Sequence, residues 1–308
     1  MAWLTGALVI SVLTSTLTLA APLIFGALGG VVSERAGVVN IAIEGAMLVS
    51  AFMCAVAEQV TNSIFLGIVA GFLAGGVVGL VLAVLTVSLR IDQVVAGFVV
   101  NIAAAGATAF LLRSAFNSNL SPGLLLNPID IPALSGVGVI GPILFQQNLL
   151  VYLALALVPL VHIYLFRTKL GLRSRAVSEN PRAADVAGIA VERVRYGAVI
   201  ASGLLSGLAG AYLIVGSSGN FSEGLTSGKG FIALAAVIFG KWRPIQASLG
   251  ALLFGFCLSL EPQLQFTNVP IPLPVLYMIP YLVTVIVLAG FIGRAVAPAA
   301  DGVPYVKE

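Results

Sequence analysis

Long stretches of this chain carry no charged residue at all, among them 1–33, 59–89, 131–166 and 196–222. Each is longer than the roughly 20 apolar residues a helix needs to cross the hydrocarbon core of a bilayer. A water-soluble domain carries about 25% charged residues. Here the figure is 9%, with 59% hydrophobic residues, so the chain is expected to be an integral membrane protein. The fold class that follows is all-α, a polytopic helix bundle of about eight to ten transmembrane helices, some of them broken or half helices. We read residues 1–308 as one transmembrane domain. The expected spans are roughly 4–28, 41–57, 65–89, 94–112, 148–166, 196–215, 229–240, 246–260 and 274–292. The segment 229–240 is too short to cross alone, and broken backbone of this kind is tolerated at membrane depth only where protein or a water-filled cavity surrounds it.

The charges that remain are concentrated. Residues 167–195, RTKLGLRSRAVSENPRAADVAGIAVERVR, hold ten of the 27 charged residues and seven of the 15 Lys and Arg. A basic island between two apolar runs marks a cytoplasmic loop. The same rule gathers Arg35, Arg90, Lys241, Arg243 and Arg294 on that side and leaves the N-terminus outside. Within the loop, Asn180-Pro181 followed by Arg182, Ala183, Ala184, Asp185, Ala187 and Gly188 reads as a short helix, with Pro at its first position and Gly at its end. Ala183, Ala184 and Ala187 are spaced to form one narrow apolar strip. The bland alternative is a solvated loop helix.

Small residues recur every fourth position at Gly67, Gly71, Gly75 and Gly79, and again at Ser202, Ser206 and Gly210. That spacing lets membrane helices approach closely, and it carries no information on substrate. Polar residues expected within the membrane are Asn40, Glu44, Gln93, Asn101, Glu223, Lys229 and Glu261. An ionisable group there costs at least about 2.5–3.5 kcal/mol and so faces a cavity or a partner. Glu44, in VVNIAIEGAML, is the sharpest case, the plainer reading being a carboxylate paired with Arg35. Asn101 could equally serve only as an interhelical hydrogen-bonding group. Asn40, Glu44, Gln93 and Asn101 are our candidates for a translocation path. Cys54 and Cys257 read as small buried hydrophobes, and His162 as a packing or interfacial residue. No Walker motif, catalytic triad or metal-ligand cluster is present, so we expect no catalytic site, no metal and no ATP hydrolysis by this chain. A net charge of +3 with its basic residues in one loop gives no support for nucleic-acid binding.

Three motifs carry a resemblance. SERAGVVNIAIEGAML at 33–48, GLRSRAVSENPRAADVAGIAVERVRY at 171–196 and GKGFIALAAVIFGKW at 228–242 resemble, in order and spacing, bacterial ABC-transporter permeases of the branched-chain amino acid, simple-sugar and nucleoside class. VVNIAIEG and SENPRAADVAG look like the nucleoside-uptake branch. The acidic GGIDLSVG-like stretch usual in the ribose branch is absent. The resemblance implies one permease subunit of an ATP-driven importer in the bacterial cytoplasmic (inner) membrane, forming half of the path for a small polar solute such as a nucleoside. It further implies a second permease chain, identical or not, and cytoplasmic ATPase subunits that bind the ATP and Mg. A periplasmic or lipid-anchored substrate-binding protein would complete the assembly, with membrane lipid around it. Pro181–Gly188 would be the helix coupling permease to ATPase. A simple-sugar permease is the nearer alternative. An ion-coupled secondary transporter is the alternative of another class; it would need ion-binding groups mid-membrane, for which Glu44 is the one good candidate.

Overall fold

The structure, a computed structural model, describes residues 6–130, 140–266 and 296–306, with single positions at 278, 282, 283, 285 and 286. The expected span 274–292, apart from those positions, and Arg294 lie outside the described residues, as does the side chain of Glu261. The described residues form eleven helices and one small ribbon. In chain order the helices are α1 (Gly6–Glu34), α2 (Ile43–Thr61), α3 (Ile64–Ala83), α4 (Gln93–Phe116), α5 (Ile140–Leu144), α6 (Leu149–Arg167), α7 (Lys169–Glu179), α8 (Pro181–Val186), α9 (Val191–Leu213), α10 (Lys229–Phe239) and α11 (Pro244–Phe266). The ribbon pairs β1 (Ile129–Asp130) antiparallel with β2 (Gln146–Gln147), Ile129 opposite Gln147. Single π-helical turns, Val84–Ser88 and Ile214–Ser218, extend α3 and α9. Among the described residues six helices are long and apolar enough to cross a membrane, and α10 and α11 add two shorter apolar helices.

Local chemistry sets the ends. Asp92, Asn148, Thr168 and Asn180 each accept a backbone N–H at a helix start, and Asn62 and Asn117 close α2 and α4 in the left-handed conformation. The α6–α7 elbow is tight because Gly171 has no side chain: a Cβ there would lie 2.1 Å from the Tyr164 carbonyl oxygen.

Helix α9 forms the centre, 78% of its most apolar window being buried, whereas the corresponding windows of α4 and α6 are 28% buried. Antiparallel α3 and α9 touch backbone to backbone. A Cβ on Gly75 would stand 2.3 Å from the Gly203 carbonyl oxygen, and one on Gly203 would stand 2.4 Å from that of Gly75. Gly79 faces Val199 and Gly203, Gly71 faces Ser50 and Ala211, and Gly67 faces Cys54 and Glu58. On the other side α1 and α11 run antiparallel, joined by Thr16 and Ser259 hydroxyls 3.1 Å apart and by the absent side chain of Gly255 over Ala20. The surface left by α3, α4 and α6 is apolar, with Phe65, Val77, Ile102, Phe110 and Leu160 all exposed, which suits lipid or a second membrane chain.

One end of the bundle collects Arg35, Arg90, α7, α8 and the turn 240–243, and we call it the basic end. At the opposite end, residues 117–130 lie over α9, with Gly123 N donating to Gly219 O and Leu126 N to Val215 O.

Candidate functional site

The backbone breaks between α1 and α2, and the break lies inside the bundle. Gly37, at φ +82°, turns the chain back from the end of α1. Ile43 then packs against Gly26 and Gly30 of α1. Gly26 lies eight residues before Glu34, about 12 Å along the helix at 1.5 Å per residue. Residues 38–42 therefore re-enter the bundle as irregular backbone, and their polar groups need partners at membrane depth.

Those partners come from α4 and α9. Gln93 accepts from Val39 N at 2.7 Å and donates to Gly37 O at 3.5 Å. Asn101 accepts from Gly45 N at 2.7 Å and donates to Ile41 O at 3.0 Å. Gln93, Gly97 and Asn101 are four apart and so share one helix face. Gly97 leaves room for Ile41, whose Cβ would lie 2.7 Å from a Cβ there. Asn40, buried, donates to the Ser202 hydroxyl at 2.7 Å.

Glu44 closes the same junction from the other direction. Its Oε1 accepts from the Thr226 hydroxyl at 2.6 Å and Gly228 N at 2.8 Å, and its Oε2 accepts from Gly230 N at 2.6 Å. Gly228 is the capping position just before α10 and has no side chain to cap it. A carboxylate from α2 thus caps the half helix α10, meeting both the unpaired N–H groups and the positive end of the helix dipole. Arg35 is not its partner. That guanidinium donates to the carbonyls of Trp242 (2.8 Å) and Lys241 (3.4 Å), while the Trp242 indole donates to Glu34. The end of α1 is thereby clasped to the α10–α11 turn. Lys229 opens α10 half-buried, and Glu223 forms an exposed ion pair with Arg113 at 2.7 Å.

At the basic end, α8 runs Pro181–Val186, capped by Asn180, with Gly188 at φ +82° ending the turn. The expected alanine strip is corrected here. Ala184 is buried against Val177, Val191 and Tyr305 of its own chain, while Ala183, Val186, Ala187 and Gly188 are exposed. Val186, which the sequence reading passed over, is 91% exposed and is the apolar tip of the loop. Glu58 was also missed. Helix α2 continues to Thr61, so Glu58 lies within it, fully buried, with neither carboxylate oxygen hydrogen-bonded among the described residues.

A C-terminal segment ties the two regions together. Ala300 N donates to Ser178 O at 2.8 Å, and Arg195, buried in α9, donates to Val303 O at 2.9 Å. A Cβ on Gly37 would meet Arg195 Nη2 at 3.0 Å and Ala300 O at 3.2 Å, so α7, α9, the tail and the α1–α2 break converge on one glycine. Burial pushes the Asp301 carboxyl up to about 7, with Arg195 and Arg35 pulling it back toward the ionised form. The raised value means the docked tail binds this proton better than the free tail. Docking is therefore fully supported below the ordinary carboxylate range and loses that support as pH rises toward 7. Proteolysis of the tail is expected to be faster at pH 8 than at pH 5.5, and Asp301→Asn should remove the difference. Equal rates in the native chain would contradict this.

Comparison with known proteins supplies the rest. A family model described as "Branched-chain amino acid transport system / permease component" matches residues 12–288. The chain is 42% identical over 309 residues to the nucleoside ABC transporter permease protein NupC of Lactococcus lactis subsp. cremoris, covering 96% of this chain and 97% of that one. It is 41% identical over 310 residues to the guanosine ABC transporter permease protein NupQ of Bacillus subtilis, covering 96% of each. Against the putative glucose ABC transporter permease protein TsgC13 of Haloferax volcanii the identity is 35% over 297 residues, 90% of each chain. No solved structure matches.

Proposed function

The chain belongs to the branched-chain amino acid transport system permease family, and from that premise we propose that it forms half of the path by which an ATP-driven importer carries nucleosides across the cytoplasmic membrane. It is a multi-pass transport permease and not an enzyme. The observation that carries the nucleoside reading is full-length similarity, above 40% identity, to two relatives named for nucleosides and guanosine, against 35% for the relative named for glucose.

The geometry supports how such a subunit works. The irregular break 35–42 and the start of α10 are held by hydrogen bonds that can be exchanged, between helices that cross the bundle. This is where a path can open without unfolding a span. The ion-coupled alternative gains nothing from Glu44, since both carboxylate oxygens are engaged by N–H and O–H donors. A second permease chain would cover part of the exposed apolar surface. ATP and Mg would be bound by separate subunits docking on the basic end, and a binding protein would deliver the solute at the other.

Within this reading α8 is the coupling helix, and Val186, Ala187 and Ala183 are the side chains that enter the ATPase groove. An apolar anchor seated centrally in an interface costs about 2 kcal/mol or more when lost, roughly 30-fold in affinity. Val186→Asp should therefore leave the purified permease monodisperse while its ATPase subunits wash off. Full retention of the ATPase by this variant would show α8 to be a plain surface helix. Ala184→Trp, by contrast, is expected to disturb the packing of Val177, Val191 and Tyr305 within the chain itself.

A further inference from the structure

We propose that Phe98 and Phe231 form the surface on which the nucleobase stacks as the solute passes the membrane-depth break, an inference that rests on the nucleoside reading above. One ring stands on α4 and the other on α10, with centroids 6.3 Å apart and planes 31° apart. They are 48% and 41% exposed, so a broad aromatic face is left uncovered.

This surface is placed at the level of the break. Phe98 precedes Asn101 by one helical turn, and Asn101 holds Gly45. Phe231 follows Gly230, which donates to Glu44. The same surface borders water rather than lipid. The chain entering α10 is not helical, and Ser227 on it is exposed. Lys229 and Glu44, both ionisable and both half-exposed, stand at the start of α10 beside it, with Glu44 accepting from Gly230 N. Irregular backbone and charged groups at membrane depth persist only against protein or a water-filled cavity.

The chemistry beside the rings suits the other half of a nucleoside. Asn101 lies one turn beyond Phe98 on α4, Lys229 lies two residues before Phe231 on α10, and both are half-exposed, as is Glu44, which accepts from Gly230 N. The Lys229 ammonium has three protons and gives one long hydrogen bond, 3.4 Å to Thr226 O. It can therefore donate to a ribose hydroxyl. Stacking on aromatic side chains is tolerant of base identity, because every base has a π face. A platform of this kind would pass purine and pyrimidine nucleosides alike.

The test uses the assembled transporter in lipid nanodiscs and proteoliposomes, with guanosine and uridine as probes. Loss of stacking by Phe98→Leu with Phe231→Leu, which keeps apolar bulk, is expected to slow uptake of both nucleosides about tenfold. Phe98→Tyr with Phe231→Tyr, which keeps the two rings, should recover most of the rate lost in the Leu variant. Phe231→Cys should react with a charged, water-soluble maleimide, against a low background because Cys54 and Cys257 are buried. An unreactive Phe231→Cys, or native uptake by the Leu variant, would place the rings against lipid and overturn the proposal. If the unaltered transporter moves neither nucleoside, the nucleoside reading itself fails, and this inference falls with it.

Discussion

Gly75→Leu is expected to abolish the folded permease. Helices α3 and α9 meet through bare backbone, and the atoms a Cβ on Gly75 would strike are the Gly203 carbonyl oxygen at 2.3 Å, Gly207 Cα at 2.5 Å and Gly207 N at 2.7 Å. None of these is the movable tip of a side chain, so relief requires separating the two helices along their length. Overpacking a core that can adjust costs about 1–3 kcal/mol. Here the adjustment would break the seam that places α9, the central helix, and the loss should exceed that range. Size-exclusion elution of the detergent-solubilised protein reports it: Gly75→Leu should run as aggregate or not accumulate, with Gly75→Ala intermediate. Gly106→Leu on α4, where no atom lies within 4 Å of the built Cβ, should elute normally. A monodisperse Gly75→Leu protein would show that α3 and α9 do not pack as described.

Glu44→Gln is expected to stop transport while leaving the bundle assembled. The amide retains one acceptor oxygen, but its NH2 would face a backbone N–H, so one of Gly228 and Gly230 loses its acceptor. An unsatisfied buried donor costs about 1–3 kcal/mol, and the lost charge at the helix start adds about 0.3–2 kcal/mol. Both fall on the start of α10 and on the break it steadies, not on the α3–α9 or α1–α11 seams. Uptake should fall by more than tenfold at native expression, and Glu44→Ala, which also abandons Thr226, should be worse. Native uptake by a normally expressed Glu44→Gln variant would mean that the α2–α10 junction plays no part in the path.

How much of this was legible in the sequence depends on the range of the interaction. The apolar runs announced helices, and the short segment 229–240 announced a half helix, because length against bilayer thickness is a local property. The glycine spacing announced close packing but not the partner, since a period of four names a face and not its neighbour. Glu44 stood out as an acid in an apolar run, yet its donors lie more than 180 residues away in the chain, and no spacing rule reaches that far. Arg35 looked like its partner because it is near in sequence, but the turn at Gly37 sends the two to different places. The alanine strip on α8 failed for a related reason. Spacing alone cannot show that Val177, Val191 and Tyr305 of the same chain claim Ala184 and leave Val186 as the exposed tip. The convergence of the C-terminal segment on Gly37 had no sequence signal at all, for it rests on backbone carbonyls that every residue carries.

The most direct test of the account is uptake of labelled guanosine into proteoliposomes holding this chain with its partner permease, ATPase subunits and binding protein. The account predicts accumulation that requires ATP on the side of the basic end, persists when ion gradients are collapsed, and is lost in Val186→Asp with the permease still intact. Guanosine uptake driven by an ion gradient without ATP, or ATP-driven uptake unchanged in Val186→Asp, would contradict it.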